Sequence, residues 1–212
     1  MIKFKKLKNF VLKIWRTPIC FVMRKRLENE NFTIISQNCI GGVLYHDLGE
    51  KFNSPTINLS FTFPNFVRFV GNLESNISKP LVFSHWSSDP NNKYPVCKIE
   101  DIYINFIHYK TFDDCVESWN KRKKRINYSN LFVMCTDRED CSEELLEQFS
   151  KLPYKKVCFV SSRESISNDW MVHVPGYEIQ GEVGDLTRYG DLMGRRIFEK
   201  YFDCVTWLNN KK

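Results

Sequence analysis

From residue 32 onward, short apolar runs bounded by turn residues alternate with segments whose apolar positions recur every three or four residues. Phe32–Ser36 has the pattern of a buried strand, Gly41–Leu48 that of a short helix closed by Gly49, and Thr56–Phe63 that of a second strand. After Pro64, residues Phe66, Phe69, Val70, Leu73 and Ile77 share one helical face and predict a helix over 66–78, which Pro80 stops. Leu81–Ser84, Tyr94–Ile99 and Ile102–His108 read as strands, the last two joined at Glu100-Asp101 as a hairpin. Thr111 with Asp113 and Asp114 supplies an N-cap and an acidic first turn for a helix over Phe112–Ile126. Asn130–Thr136, Ser142–Ser150 and Lys156–Ser161 form a strand, a helix and a strand with short joints, which implies a parallel crossover. A last helix over Asp191–Leu208 would pack Leu192, Ile197, Tyr201, Phe202, Val205 and Trp207 back on the sheet. The order predicts an α/β fold: one domain over 29–212, with a mixed, partly parallel sheet flanked by helices.

Ahead of this domain lies an arm of different character, residues 1–28. Phe4, Leu7, Val11, Ile14 and Trp15 recur at helical spacing up to an expected break at Thr17-Pro18, so the arm is a basic amphipathic N-terminal helix. Residues 1–26 hold nine basic side chains (Lys3, Lys5, Lys6, Lys8, Lys13, Arg16, Arg24, Lys25 and Arg26) and no acidic one. The remainder carries 22 basic against 25 acidic residues, a net −3, so the overall +6 is a property of the arm. Nothing in the body resembles a nucleic-acid module, and no nucleic-acid partner is expected. Basic residues interleaved with Phe and Trp suit an anionic membrane surface, contacted through residues 1–26; docking on the domain is the rival reading. No run approaches the roughly 20 apolar residues of a membrane span. Lys8, Lys13 and Arg16 interrupt the apolar stretch a signal peptide would need. The expected location is cytoplasmic, peripheral on the inner face of the plasma membrane.

Eight cysteines, scattered without a C-x-x-C pair, fit reduced thiols rather than disulfides, a zinc site or an iron–sulfur cluster; no metal and no cofactor is expected. Cys39 stands out, because it falls between a strand and a helix. At a helix N-terminus the backbone N–H groups favour an anion, so the thiolate would be stabilised as a nucleophile, or the turn would take a phosphate; the plain alternative is packing. His108, at the end of its strand, offers an imidazole suited to general acid or base work, or else a ring satisfied by backbone. His46 lies two helical turns from Cys39, about 10 Å along the axis. Arg122 and Arg125 share a helix face and would grip one phosphate or carboxylate, unless they belong to a solvated basic face with Lys121, Lys123 and Lys124. Asp137 directly follows a strand, where a carboxylate can orient a histidine or a sugar hydroxyl. Gly181-Glu182-Val183-Gly184-Asp185 adds a loop with two acids. There is no Walker A sequence, dinucleotide fingerprint, D-x-D or H-E-x-x-H motif.

Asn38-Cys39-Ile40-Gly41-Gly42 with Tyr45-His46, then Asn53-Ser54-Pro55-Thr56, Tyr94-Pro95-Val96, His108-Tyr109, Trp119 with Arg122 and Arg125-Ile126-Asn127, Asn130–Val133 and Thr136-Asp137, together resemble a bacterial family of unknown function labelled exopolysaccharide-biosynthesis proteins. The resemblance covers residues 32–208 and departs at Ile40, where an aromatic residue is expected. It implies an α/β domain associated with capsule, exopolysaccharide or O-antigen synthesis, with no settled reaction; the candidate substrate-binding residues are Asn38, Gly41, Gly42, His46, Arg122, Arg125 and Asn127, and the expected substrate is a sugar or lipid-linked sugar. A weaker similarity to bacterial papain-like proteins, in which a Cys opens a helix after a strand and a His arrives later in the chain, places Cys39 and His108 in those roles; Asp137, by its strand-end position, joins them as a candidate catalytic residue. The expected activity is a transferase, moving an acyl group through the Cys39/His108 pair. The alternatives are a glycosyl or phosphoglycosyl transferase in which Cys39 only shapes the pocket, and a non-catalytic binding subunit of the polysaccharide machinery.

Overall fold

The computed structural model describes residues 2–162 and 168–210, and side chains at residue 12 and from residue 14 within that range. In chain order the elements are α1 (Ile2–Arg26), β1 (Thr33–Ser36), α2 (Ile40–Leu48), α3 (Phe63–Gly71), α4 (Leu73–Ser78), β2 (Val82–Trp86), β3 (Pro95–Ile99) and β4 (Ile102–Asn105). There follow α5 (Phe112–Lys123), β5 (Leu131–Thr136), α6 (Glu143–Ser150), β6 (Lys155–Val160), β7 (Met171–His173) and α7 (Cys204–Asn209). A four-stranded sheet runs β1-β5-β6-β7 with every pairing parallel. A three-stranded antiparallel sheet, β2-β3-β4, is carried between β1 and β5. The fold is thus the expected mixed α/β class, with its parallel and antiparallel strands in separate sheets.

Both faces of the parallel sheet are covered, as its continuous apolar strands require. Ile35, Val133, Cys135, Cys158 and Val160 point to one side, where Phe61, Phe66, Phe69 and Trp119 join them to the antiparallel sheet and to α3 and α5. Ile34, Phe132, Met134, Val157 and Phe159 point to the other, under α2, Met23 of α1 and Val205 and Trp207 of α7. The helix entries follow local chemistry: Thr111 accepts the Asp114 N–H at 3.1 Å, Ser142 that of Leu145 at 3.3 Å, and Asp203 those of Val205 and Thr206.

Several expected elements change. Residues 56–63 form no regular strand: only Ser60 bridges to Asn105, because the 53–58 segment is held by side-chain hydrogen bonds such as Ser36 N–H to Thr56 Oγ1, 2.9 Å. The helix expected over 66–78 is two, α3 and α4, divided at Asn72, whose ψ of 55° is not helical. Asp191–Leu208 holds a single 3-10 turn at Phe198–Lys200 and then α7. Its start is a turn built on Asp191, which accepts the N–H groups of Met193 and Arg195, and on Gly194 at φ +83°. A Cβ on Gly194 would stand 2.9 Å from the Leu12 carbonyl, so the turn exists to press against α1, and Leu192 is left exposed rather than packed.

The expected break at Thr17-Pro18 is also absent: α1 runs through Pro18. An interior proline costs about 3 kcal/mol, and contacts on both sides of it offset that here. Leu12, Arg16, Cys20 and Met23 are buried along one face. Arg16, expected to meet solvent or lipid, instead donates to Asp47 of α2 at 2.7 Å, to Glu199 at 2.5 and 2.7 Å and to the Gly194 carbonyl at 3.0 Å. Arg196 donates to Asp47 as well, at 2.7 Å. Burial alone would raise the Asp47 carboxyl, but the hydrogen bonds from Arg196 and Arg16 hold it below the usual carboxylate range. The helix therefore docks, fastened by a buried cluster that ties α1, α2 and the 194–199 turn together. Positions 4, 7 and 11 of the expected apolar stripe, and Lys3, Lys5, Lys6, Lys8 and Lys13, have side chains outside the described residues.

Candidate active site

Cys39 sits past the carboxyl end of β1, as the N-cap of α2. Gln37 continues the parallel pairing by donating its N–H to the Met134 carbonyl at 3.0 Å, after which the chain turns. Gly41 lets α2 close on the strand, since a Cβ there would lie 2.7 Å from Ser36 Cβ; Gly42 leaves room for Ile57 at 3.4 Å. The first amides of the helix are already taken. Ile40 N–H donates to Asn38 Oδ1 at 3.1 Å and Gly41 N–H to Ser36 Oγ at 3.2 Å. Asn38 donates its other amide end to Thr136 Oγ1 at 3.2 Å. Asn38 and Gly41, candidates for substrate binding, take part in building this turn.

His108 arrives from the other sheet. It lies in the turn after β4, where Tyr109 N–H donates back to the Phe106 carbonyl at 2.9 Å. Two links carry this turn to the thiol: Ser60 and Asn105 exchange backbone hydrogen bonds of 2.8 Å, and Phe61 N–H donates to the Gln37 carbonyl at 2.9 Å. In consequence His108 Nε2 stands 3.5 Å from Cys39 Sγ, although the residues are 69 apart in sequence. The ring is exposed, and among the described residues its Nδ1 has no hydrogen-bond partner.

The electrostatics differ from those expected at a helix start. Burial pushes the Cys39 thiol up to about 11, and the Asp185 carboxylate acts in the same direction. The positive end of a short helix contributes about 0.3–1 kcal/mol, under one pH unit, and its first amides are occupied; desolvation wins. At neutral pH the Cys39 thiol is therefore protonated where it faces the His108 ring.

Asp137 follows β5 and commits both carboxylate oxygens to the frame. It accepts from Ser161 N–H at 2.6 Å, Ser161 Oγ at 2.7 Å and Val183 N–H at 2.8 Å. These bonds join the ends of β5 and β6 to the 181–185 loop, and so set Asp185 near the thiol. The next residue, Arg138, was not singled out by its sequence, although its place directly after a strand-end carboxylate was a signal. Its backbone carbonyl accepts from Gln37 Nε2 at 3.2 Å, and its Nε is buried with no hydrogen-bond partner.

Among the described residues, none of the other sequence candidates hydrogen-bonds Cys39 Sγ or the His108 ring. Arg122 donates from one nitrogen to the Ile57 carbonyl at 3.1 Å and to the Tyr109 hydroxyl at 2.6 Å, and its guanidinium lies 5.7 Å from the Phe52 ring. Arg125 donates to the Phe52 carbonyl at 3.1 Å. Both border a cavity of about 290 Å³ with Asp114, Glu117, Ser118 and Lys121, so acids share the basic face. His46 is exposed on the last turn of α2, its Nδ1 3.2 Å from Asp47. Asn127 accepts from Ser129 and donates to the Asn31 carbonyl at 2.9 Å. It precedes β5, at the opposite end of the parallel sheet from Cys39, beside a cavity of about 660 Å³ that includes Tyr128 and Tyr154.

The chain is similar to known proteins along nearly its whole length. Residues 10–209 match a family described as Domain of unknown function (DUF1919). An uncharacterized protein of Haemophilus influenzae is 32% identical over 207 residues, covering 98% of each chain.

Proposed function

The chain belongs to the DUF1919 family, and we propose that it is an acyltransferase of surface-polysaccharide synthesis, using Cys39 as nucleophile and His108 as general base and acid. The observation that carries this reading is the 3.5 Å approach of Nε2 to Sγ at the carboxyl ends of the strands. A thiol pushed up by burial acts as a serine does, losing its proton only as it attacks. Sγ adds to the carbonyl of an acyl thioester, His108 Nε2 takes the thiol proton, and the carbon–sulfur bond of the donor breaks. The departing thiolate then leaves as a thiol, with the proton from His108. In the second half, His108 removes the proton of a sugar hydroxyl, whose oxygen attacks the Cys39 acyl group. Collapse breaks the Sγ–acyl bond, gives the sugar ester and returns the proton to Sγ. Base assistance of this kind supplies typically 10²–10⁴-fold. Asp137 acts at a distance, by fixing the loop that bears Asp185, and the capsule, exopolysaccharide or O-antigen context rests on the motif resemblance.

Incubating the protein with an acyl thioester and no acceptor tests this directly by intact mass. One acyl group on Cys39, absent in Cys39→Ala and slowed in His108→Ala, is the expected result. Undiminished transfer to a sugar acceptor by Cys39→Ala overturns it, and leaves the glycosyl-transfer and binding-subunit readings.

A further inference from the structure

Helix α1 has two apolar faces. The inner one is docked through Leu12, Arg16, Cys20 and Met23. Opposite it, Ile14, Trp15, Phe21 and Val22 are 57%, 56%, 55% and 52% exposed, an arrangement that docking does not explain. With about 100° between successive residues, Ile14, Trp15, Pro18, Phe21, Val22 and Lys25 fall within roughly one third of the helix circumference. By the same spacing positions 4, 7 and 11, occupied by Phe, Leu and Val, continue the stripe toward the N-terminus. Four large exposed side chains on one helix form the kind of contiguous patch that marks an interaction surface.

Charge decides what covers it. The arm has no acidic residue; Arg16, Arg24 and Arg26 are bonded within the fold, and Lys25 Nζ lies 4.7 Å from the Phe21 ring centre, at the edge of the patch. A protein groove would have to match the apolar face and the cations separately, whereas an anionic lipid surface offers acyl chains and negative headgroups in one plane. No helix among the described residues is long and apolar enough to cross a membrane. We infer that the outer face of α1 is a lipid-binding surface, which lies in the plane of an anionic membrane while the inner face stays docked. The surface is independent of the thiol chemistry, and its failure or success leaves the assignment of Cys39 untouched.

The test is flotation of the full-length chain with vesicles of phosphatidylglycerol and phosphatidylcholine, and with phosphatidylcholine alone. The expected result is binding to the anionic vesicles, at least tenfold weaker on phosphatidylcholine, and weakening as salt rises. Trp15→Ala with Phe21→Ala should reduce partitioning at least tenfold with an unchanged melting temperature, because both side chains are exposed. Ile14→Glu with Val22→Glu provides a second pair acting at the same surface. Equal partitioning of both double variants and the parent overturns the inference. So does a lipid-free dimer of the parent that either pair dissociates, since the face would then belong to a second copy.

Discussion

At the carboxyl end of the parallel sheet, His108 presents an exposed ring whose Nδ1 has no partner among the described residues; Arg122 on α5, and Arg125 in the turn just past its end at Lys123, have already given donors to the carbonyls of Ile57 and Phe52. Both regions carry side chains suited to chemistry, and they differ in what folding has left unsatisfied. A group bonded within its own fold gains little by exchanging that partner for a ligand, since a net hydrogen bond is worth about 0.5–1.5 kcal/mol. A group held in place by backbone connections, with its reactive atom open, retains its full capacity. By this criterion the arginines mainly hold the 52–57 segment against α5, and the thiol and imidazole are the reactive pair.

The comparison breaks most visibly at Cys39. Cys39→Ala should lower acyl transfer by at least about 10³-fold, with little change in denaturant midpoint, because the thiol is a single half-buried group. Arg122→Ala should behave in the opposite way. Losing the bonds to Ile57 and Tyr109 and the contact with Phe52 costs about 2 kcal/mol of stability by chemical denaturation, while transfer by the folded fraction changes less than tenfold. Arg125→Ala, which removes one bond to the Phe52 carbonyl, should cost about 1 kcal/mol in the same measurement. Loss of substrate affinity in either arginine variant, at unchanged stability, would erase the distinction between the two regions.

A smaller effect sharpens the electrostatic half. The thiol raised to about 11 should alkylate slowly at pH 7 and accelerate as pH rises toward that value, more slowly at neutrality than an unperturbed thiol of about 8.5. Asp185→Asn removes the negative charge that disfavours the thiolate, so it should lower the midpoint. Burial is the larger cause, and the shift should stay under about one pH unit. Iodoacetamide rates followed by mass spectrometry separate Cys39 from Cys141, the other thiol that is not buried.

Much of this organisation was legible in the chain. The strand at Phe32–Ser36, the helix after Cys39 and the β5–α6–β6 unit follow from apolar runs and capping residues whose effects are local, and the class of fold follows from their order. Reading Cys39 and His108 as partners needed the resemblance, because 69 residues separate them and the stitch through Ser60, Asn105 and Gln37 is a tertiary arrangement. The sign of the thiol shift is hidden for a related cause: a helix start is visible in sequence, but burial and a carboxylate 146 residues downstream are not. Pro18 shows the same limit from the other side. Its local effect is to break a helix, and only the buried partners of Arg16 explain why it does not.

Those partners also set a timetable. Arg16 is made early, yet Gly194 and Glu199 lie 178 and 183 residues later, and Arg26 and Asn29 wait for Asp203 and the Leu208 carbonyl. At about 5–20 residues per second, a nascent chain would carry α1 without its latch for roughly ten to forty seconds. Throughout that interval the helix displays its inner apolar face and a guanidinium still awaiting the Glu199 carboxylate, beside an outer face that never finds cover within the fold. Residues 194–208 thus determine when residues 1–26 stop being an adhesive segment, and removing either segment would prolong the exposure of the other.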